Sequence, residues 1–201
     1  MSAVSYLLRT ARPPGAAIEI APDRVVGASI TVRGGRSVVS SHAVEPLPAG
    51  AVVPSLMQRN LHDAGALKTA LSQVLERLGR PGRVGLVVSD PIAKVSVLHF
   101  DQAPARDEDL DRLIRFQIRK SAPFSIDEAQ VSWTAGASRG ESRDYVVSIA
   151  RREIVEEYEH ACMAAGAQAG LVDLATFNVA NAVLSGHAPA GDWLLVNANA
   201  S

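Results

Sequence analysis

The alternation of apolar and polar positions divides this chain into short strands and a few amphipathic helices. Ala16–Ile20 and Val25–Val32 read as two strands around a Pro22-Asp23 turn, and Gly34-Gly35 leads to a third over Ser37–Val44. After a proline-rich loop (Pro46–Pro54), Leu67, Ala70, Leu71, Val74, Leu75 and Leu78 recur at i, i+3, i+4, i+7, i+8 and i+11, one face of a helix. Asp63 is placed to cap it, Gly79 to end it and Pro81 to prevent its resumption. Strands are expected next at Val84–Ser89 and Ala93–Phe100.

A second helix, about Asp107–Ser121, has Asp107, Glu108, Asp109 and Asp111 in its first turns and Arg115, Arg119 and Lys120 in its last, matching the helix dipole. Glu108–Arg112 and Asp111–Arg115 add i,i+4 pairs. Its predicted buried face is Leu110, Leu113, Ile114 and Ile118. Phe116 projects away from that face and is the candidate exposed anchor for a partner. Pro123 forces Ala122 out of helical geometry and stops the helix. Strands at Ala129–Ala135 and Tyr145–Ala150 are expected around a polar loop, Gly136–Arg143. Ser125-x-x-Glu128 has capping-box spacing, but the residues after Glu128 alternate like a strand, so no helix is expected there. A third helix carries Ile154, Val155, Tyr158, Ala161, Cys162 and Ala165 on one face, with Gly166 beyond its end. A strand near Gln168–Asp173, a helix near Ala175–Leu184 and a last strand, Trp193–Val196, complete the pattern. The order is β-β-β-α-β, β-α-β-β-α, β-α-β, and its middle block, about 92–167, reads as an insertion into one α/β layer.

Composition narrows the function. Twenty basic against twenty-one acidic residues give a net charge of −1, so no global basic field recruits nucleic acid, and 4% aromatic residues leave few stacking platforms. The single Cys162 excludes an internal disulfide and sits on a predicted apolar stripe, where a thiol is core. No apolar run approaches the ~18–20 residues needed to span a bilayer. A cytoplasmic protein is expected, with any membrane association supplied by a partner. The five histidines lie in no metal-ligand spacing, and G-x-S-x-G, P-loop and G-x-G-x-x-G patterns are absent, so no metal and no catalytic residue is assigned.

Arg115–Glu128, with Pro123, Phe124 and Glu128, resembles the E-A-x-x-x-I-P-F-x-x-x-E segment of the type IV pilus assembly protein PilM family, actin-like relatives of FtsA. Tyr145–Ala150 with the Arg152–Glu156 run, and Ala165-Gly166 through Val172-Asp173, resemble further segments of that family in the same order. The resemblance implies an α/β fold of the actin-like (ribonuclease H-like) type. A subdomain 1A (16–91 plus 168–190) would carry an inserted 1C subdomain of β-α-β-β-α order (92–167). Residues 191–201 would be the first strand of a second lobe that is missing, and such an open end predicts self-association. The resemblance also implies a scaffold at the cytoplasmic face of the inner membrane that binds the tail of a PilN-like membrane protein, in a groove between the two subdomains, together with other platform proteins.

The family's phosphate loops are degenerate in this chain. Glu19 stands at the aspartate of the first loop, Ala21 at its glycine, Pro22 and Asp23 at its serines, and Val26 at its lysine. Pro22 lacks the N–H that such a loop aims at an oxyanion. Asp23 would repel a phosphate at ~4 Å by on the order of 1–4 kcal/mol. In the second loop Asn197 replaces the aspartate and Asn199 the glycine. An amide cannot act as the carboxylate base or carboxylate metal ligand of the family, so no enzyme activity and no cofactor are expected. ATP with Mg²⁺ is expected only if a longer parent supplies the rest of the cleft. Two rivals stay open: an actin-like ATPase whose second lobe lies beyond Ser201, and a stand-alone α/β interaction domain.

Overall fold

The computed structural model describes residues 14–186 and 194–197. Its elements are β1 (Ala16–Ile20), β2 (Arg24–Arg33), β3 (Arg36–Pro46), α1 (Ala64–Arg77), β4 (Arg83–Val88), β5 (Ala93–Phe100), α2 (Asp107–Ile118), β6 (Ala129–Arg139), β7 (Ser142–Arg151), α3 (Arg152–Ala164), β8 (Gln168–Leu174) and α4 (Ala175–Gly186). The described residues form two compact units, residues 92–155 and residues 14–91 with 156–186 and 194–197. The division falls inside α3.

The larger unit is built on a five-stranded sheet of order β3-β2-β1-β4-β8. The β1-β2-β3 meander is antiparallel, while β1, β4 and β8 run parallel. Ile18, Ile20 and Val25 are fully buried on the face that receives α1, whose Leu67, Leu71, Val74 and Leu75 are buried in turn. Each such side chain contributes roughly 1.5–3 kcal/mol on leaving water. The helix approaches β2 closely because Gly27 has no side chain: a Cβ there would lie 2.4 Å from Val74 Cγ1. Asp63 caps α1 by accepting from Ala66 N at 2.9 Å. The backbone N–H groups of Gly79 and Arg80 close it by donating to Glu76 and Leu75 carbonyls.

The smaller unit is a three-stranded antiparallel sheet, order β5-β7-β6, with α2 across one face. Leu110, Ile114 and Ile118 meet Phe100, Tyr145, Val147 and Ile149, and Tyr145 takes edge contacts from Phe100 and Trp133. Leu113, expected in the buried face, is partly buried and packs against this core.

Four expectations are corrected. The segment 136–143 is not a loop: β6 and β7 continue through it to a two-residue turn at Gly140-Glu141, with a register shift between Ala135 and Ser138. Gly140 makes the tight turn possible at φ 64°. The second helix ends at Ile118 rather than Ser121, and the chain turns through Ser121 and Ala122 N–H bonds to the Ile118 carbonyl. Ser125 does cap a helix, a single 3-10 turn at Ile126–Glu128, by accepting from Asp127 N at 3.4 Å. Residues 194–197 form no strand; Trp193 lies outside the described residues.

Candidate functional site

The turn aligned with a phosphate loop is a closed hairpin. Ala21 is buried and its N–H donates to the Arg24 carbonyl at 2.9 Å. Asp23 engages locally: its carbonyl accepts from Leu47 N (2.8 Å) and its carboxylate pairs with Arg24 at 3.0 Å. Glu19 lies half-buried in β1, and Pro22 contributes no donor.

Parallel register brings the ends of β1, β4 and β8 to one edge, since Ile20 pairs with Val88 and Val88 with Leu174. There the Asp90 carboxylate accepts from both the backbone N–H and the hydroxyl of Thr176. Asn197 Nδ2 donates to Thr176 Oγ1 at 3.3 Å. Burial pushes the Asp173 carboxyl up, with Asp90 adding to the rise, against hydrogen bonds from Leu174 N and Asn178. Asn197 therefore joins a hydrogen-bonded edge with Asp90 and Thr176. Asn199 lies outside the described residues.

Of the motif residues in the smaller unit, Phe124 packs against the core as a partly buried side chain. Glu128 reaches Arg151 only at 3.8 Å. Pro123 sits in the turn after α2. Phe116 is 64% exposed on α2, so the anchor candidate is accessible in its unit. Cys162 is buried, and its thiol is pushed up to about 12 by burial and by Glu159, the state of an inert core thiol.

Sequence reasoning missed a polar clamp in the larger unit. Asn60 is fully buried. Its Oδ1 accepts from Ser55 N (2.8 Å) and Tyr158 OH (3.2 Å), and its Nδ2 donates to the carbonyls of Ser55 (2.9 Å) and Gln58 (2.7 Å). Glu157 binds the same loop from α3, accepting from Asn60 N (3.0 Å), Leu61 N (3.0 Å) and Arg59 Nε (3.2 Å). Burial, then the Glu157 charge, raises the Tyr158 phenol, which stays a neutral donor. Beside the clamp lies a cleft of about 330 Å³ between the loop, α1 and α3. Its floor is Leu61 and Leu67 with Ala64, Ala161 and Ala164; its rim carries Arg59, Lys68 and His160. The only prior signal was an asparagine in a loop before a capped helix, and nothing local pairs it with residues 97 and 98 positions away.

The profile of one family, described as type IV pilus assembly protein PilM, matches residues 18–190. The chain belongs to the PilM family. Its fold is likewise that of a solved PilM–PilN type IV pilus biogenesis complex chain, at a TM-score of 0.74 and 17% identity over 88% of this chain. This chain spans 52% of the length of that PilM-type structure. The cytoplasmic domain of EpsL, an inner-membrane component of the type II secretion system of Vibrio cholerae, aligns at a TM-score of 0.47 and 10% identity, over 79% of this chain and 56% of that one. The family match and the likeness to the PilM–PilN structure establish the expected α/β fold of actin-like type. Among the described residues, no helix is long and apolar enough to cross a membrane, and no group of three or more His, Cys, Asp or Glu side chains is placed to hold a metal.

Proposed function

We propose that this PilM-family chain is a non-enzymatic scaffold of the type IV pilus assembly platform, held at the inner membrane through the cytoplasmic tail of a PilN-type partner. The observation that carries the reading is the family match across residues 18–190. The structural relative solved as a PilM–PilN complex supports the partner class. Subdomains of 1A and 1C type, as delimited from the sequence, belong to the same reading.

Loss of nucleotide chemistry is the second half of the proposal. The first turn has its Ala21 N–H already engaged, no donor at Pro22 and a carboxylate at Asp23. A polyphosphate finds no nest of free N–H groups there, and the Arg24 guanidinium in the turn is already paired with the Asp23 carboxylate. Asn197 meets a threonine hydroxyl rather than offering a carboxylate to Mg²⁺.

Isothermal titration with a synthetic N-terminal tail of the PilN-type protein from the same cell tests the first half. Saturable binding is expected, and none up to about 1 mM removes the partner assignment. The same titration with ATP and Mg²⁺ is expected to give no heat of binding. A saturable ATP isotherm overturns the degenerate-turn argument while leaving the partner assignment standing.

A further inference from the structure

β3 is an edge strand: β2 pairs with it on one side, and among the described residues nothing pairs with it on the other. The hairpin of β2 and β3 also displays apolar side chains. Gly27 lies against α1, so Val26, Ile30 and Val32 point to the opposite face of the sheet. Val39 and Val44 share that face, because they pair with Ile30 and Val26. Ile30, Val32, Val39 and Val44 are 49–72% exposed there. Apolar residues beside an unpaired edge are a template for another strand.

One bond assigns the free backbone groups of this edge. Ile30 N–H donates to the Gly15 carbonyl at 2.7 Å, so the even-numbered residues of β2 turn their N–H and C=O groups towards β1 and the odd-numbered ones towards β3. Opposite those odd residues stand Arg36, Val38, Ser41, Ala43 and Glu45, which are therefore engaged with β2. Ser37, Val39, His42 and Val44 direct theirs out of the sheet. Ser40 is the extra residue at the register shift, and it exchanges odd for even along the strand.

That exchange makes the edge complementary to itself. With a second β3 laid antiparallel, Ser37 faces Val44 of the second copy, Val39 faces His42, Val38 faces Ala43 and Arg36 faces Glu45. Every outward residue meets an outward one, and both members of each pair lie on the same face, as an antiparallel ladder requires. Without Ser40 the same alignment would set one face against the other. The charges agree with this register. Arg36 and Glu45 form the close, non-hydrogen-bonded kind of pair, in which opposite charges attract. Among the described residues Arg36 has no acidic partner, and Glu45 spends one oxygen on Arg77 at 2.7 Å, leaving the other for a second guanidinium.

We propose that β3 pairs with β3 of a second copy of this chain, which joins two five-stranded sheets into one and yields a two-fold symmetric dimer. Pro46, with no N–H, ends the ladder opposite the Gly34-Gly35 turn of the second copy. Each copy spends its β3 edge on the other, so assembly through this edge stops at two. The Arg36–Glu45 pairs select the register, and Val39 and Val44 of both copies form an apolar strip across the seam. The inference rests on β3 and does not depend on the PilN-type reading.

Analytical ultracentrifugation of the full chain is the test. A monomer–dimer equilibrium is expected, with half-association at about 1–100 μM for a seam of this size. Arg36→Glu sets two carboxylates across each pair and is expected to weaken the dimer by about tenfold or more. Glu45→Arg sets two guanidinium groups together, with the same expected effect. An equimolar mixture of these two variants is expected to dimerise again, because every seam between unlike copies joins opposite charges. Ser37→Pro removes an outward N–H that β2 does not use, and is expected to weaken the dimer by about tenfold with an unchanged circular dichroism spectrum. Arg36→Glu and Ser37→Pro alter exposed residues only, so they decide the question even if Glu45→Arg fails to fold. A monomer up to about 300 μM, growth beyond the dimer, a dimer indifferent to Arg36→Glu or Ser37→Pro, or a mixture of folded variants that stays monomeric overturns the proposal.

Discussion

The two units of this chain use the same chemistry, carboxylates and amides against N–H donors, in opposite settings. In the larger unit the Asn60–Glu157–Tyr158 clamp is shut away: Asn60 and Tyr158 are both 0% exposed, and the bonds fix the loop around Asn60 onto α3. In the smaller unit, Asp111 joins Arg115 at 2.7 Å and Trp133 at 3.3 Å, and His99 joins Asp144 at 2.7 Å, all at the surface or half-buried. The bond lengths are similar. The difference lies in the state left behind when a partner is removed. Water replaces a lost surface bond, but nothing replaces one inside.

The comparison is broken most sharply at Asn60. Asn60→Ala strips partners from Ser55 N, the Ser55 and Gln58 carbonyls and the Tyr158 hydroxyl in one step. A loss of about 3 kcal/mol is expected, because several buried groups are left unpaired. Hydrogen exchange resolved by segment is the right measurement, since it reports the two units separately. Faster exchange is expected in 51–63 and 156–165, with 93–151 unchanged. Glu157→Gln is milder, at about 1–2 kcal/mol, because the amide keeps an acceptor for one of the two backbone N–H groups but turns a donor toward the other. In the other unit, Asp111→Asn removes a half-exposed i,i+4 ion pair and is expected to cost only about 0.5 kcal/mol by urea unfolding. An Asp111→Asn effect equal to that of Asn60→Ala would show that exposure is not the deciding variable.

These two clusters also mark where the sequence was readable. Leu67 through Leu75 announced α1, and Leu110, Ile114 and Ile118 announced the buried face of α2, because helical periodicity is a local signal carried by the side chains themselves. The Asp111–Arg115 pair, four residues apart, was legible for the same reason. The polar run from Gly136 to Arg143 misled, since a hairpin ladder is made by backbone groups and tolerates serine, glycine and arginine outside. Motifs around Pro123 and Phe124 pointed to the family that the profile then matched. The clamp was invisible: a loop asparagine acquires its meaning only when Tyr158 and Glu157, nearly a hundred residues on, are folded against it. The cleft inherits that obscurity, because its rim is assembled from the loop and two helices.

The smallest expected effect tests the exposed side of the comparison by charge rather than by deletion. His99 on β5 lies directly across from Asp144 on β7, with Nδ1 at 2.7 Å from its carboxylate, while Asp101 stands 3.5 Å from Nε2. The hydrogen bond to Asp144 raises the imidazole above its ordinary 6.5 against the opposing effect of desolvation, and the charges of Asp144 and Asp101 add smaller rises. A group raised on folding stabilises the folded state fully below its unfolded value, and the benefit fades as pH climbs through the folded value. The window therefore opens just above 6.5, and solvent around the exposed ring keeps the stability change within it slight. Proton NMR of the His99 ring resolves what calorimetry will not. Asp144→Asn is expected to bring the titration midpoint back towards 6.5, and Asp101→Asn to move it less, because its contact is longer. A midpoint unmoved by Asp144→Asn would mean that the cross-strand contact is not held in solution. The smaller unit's surface bonds would then lack even the modest energy that exposure leaves them.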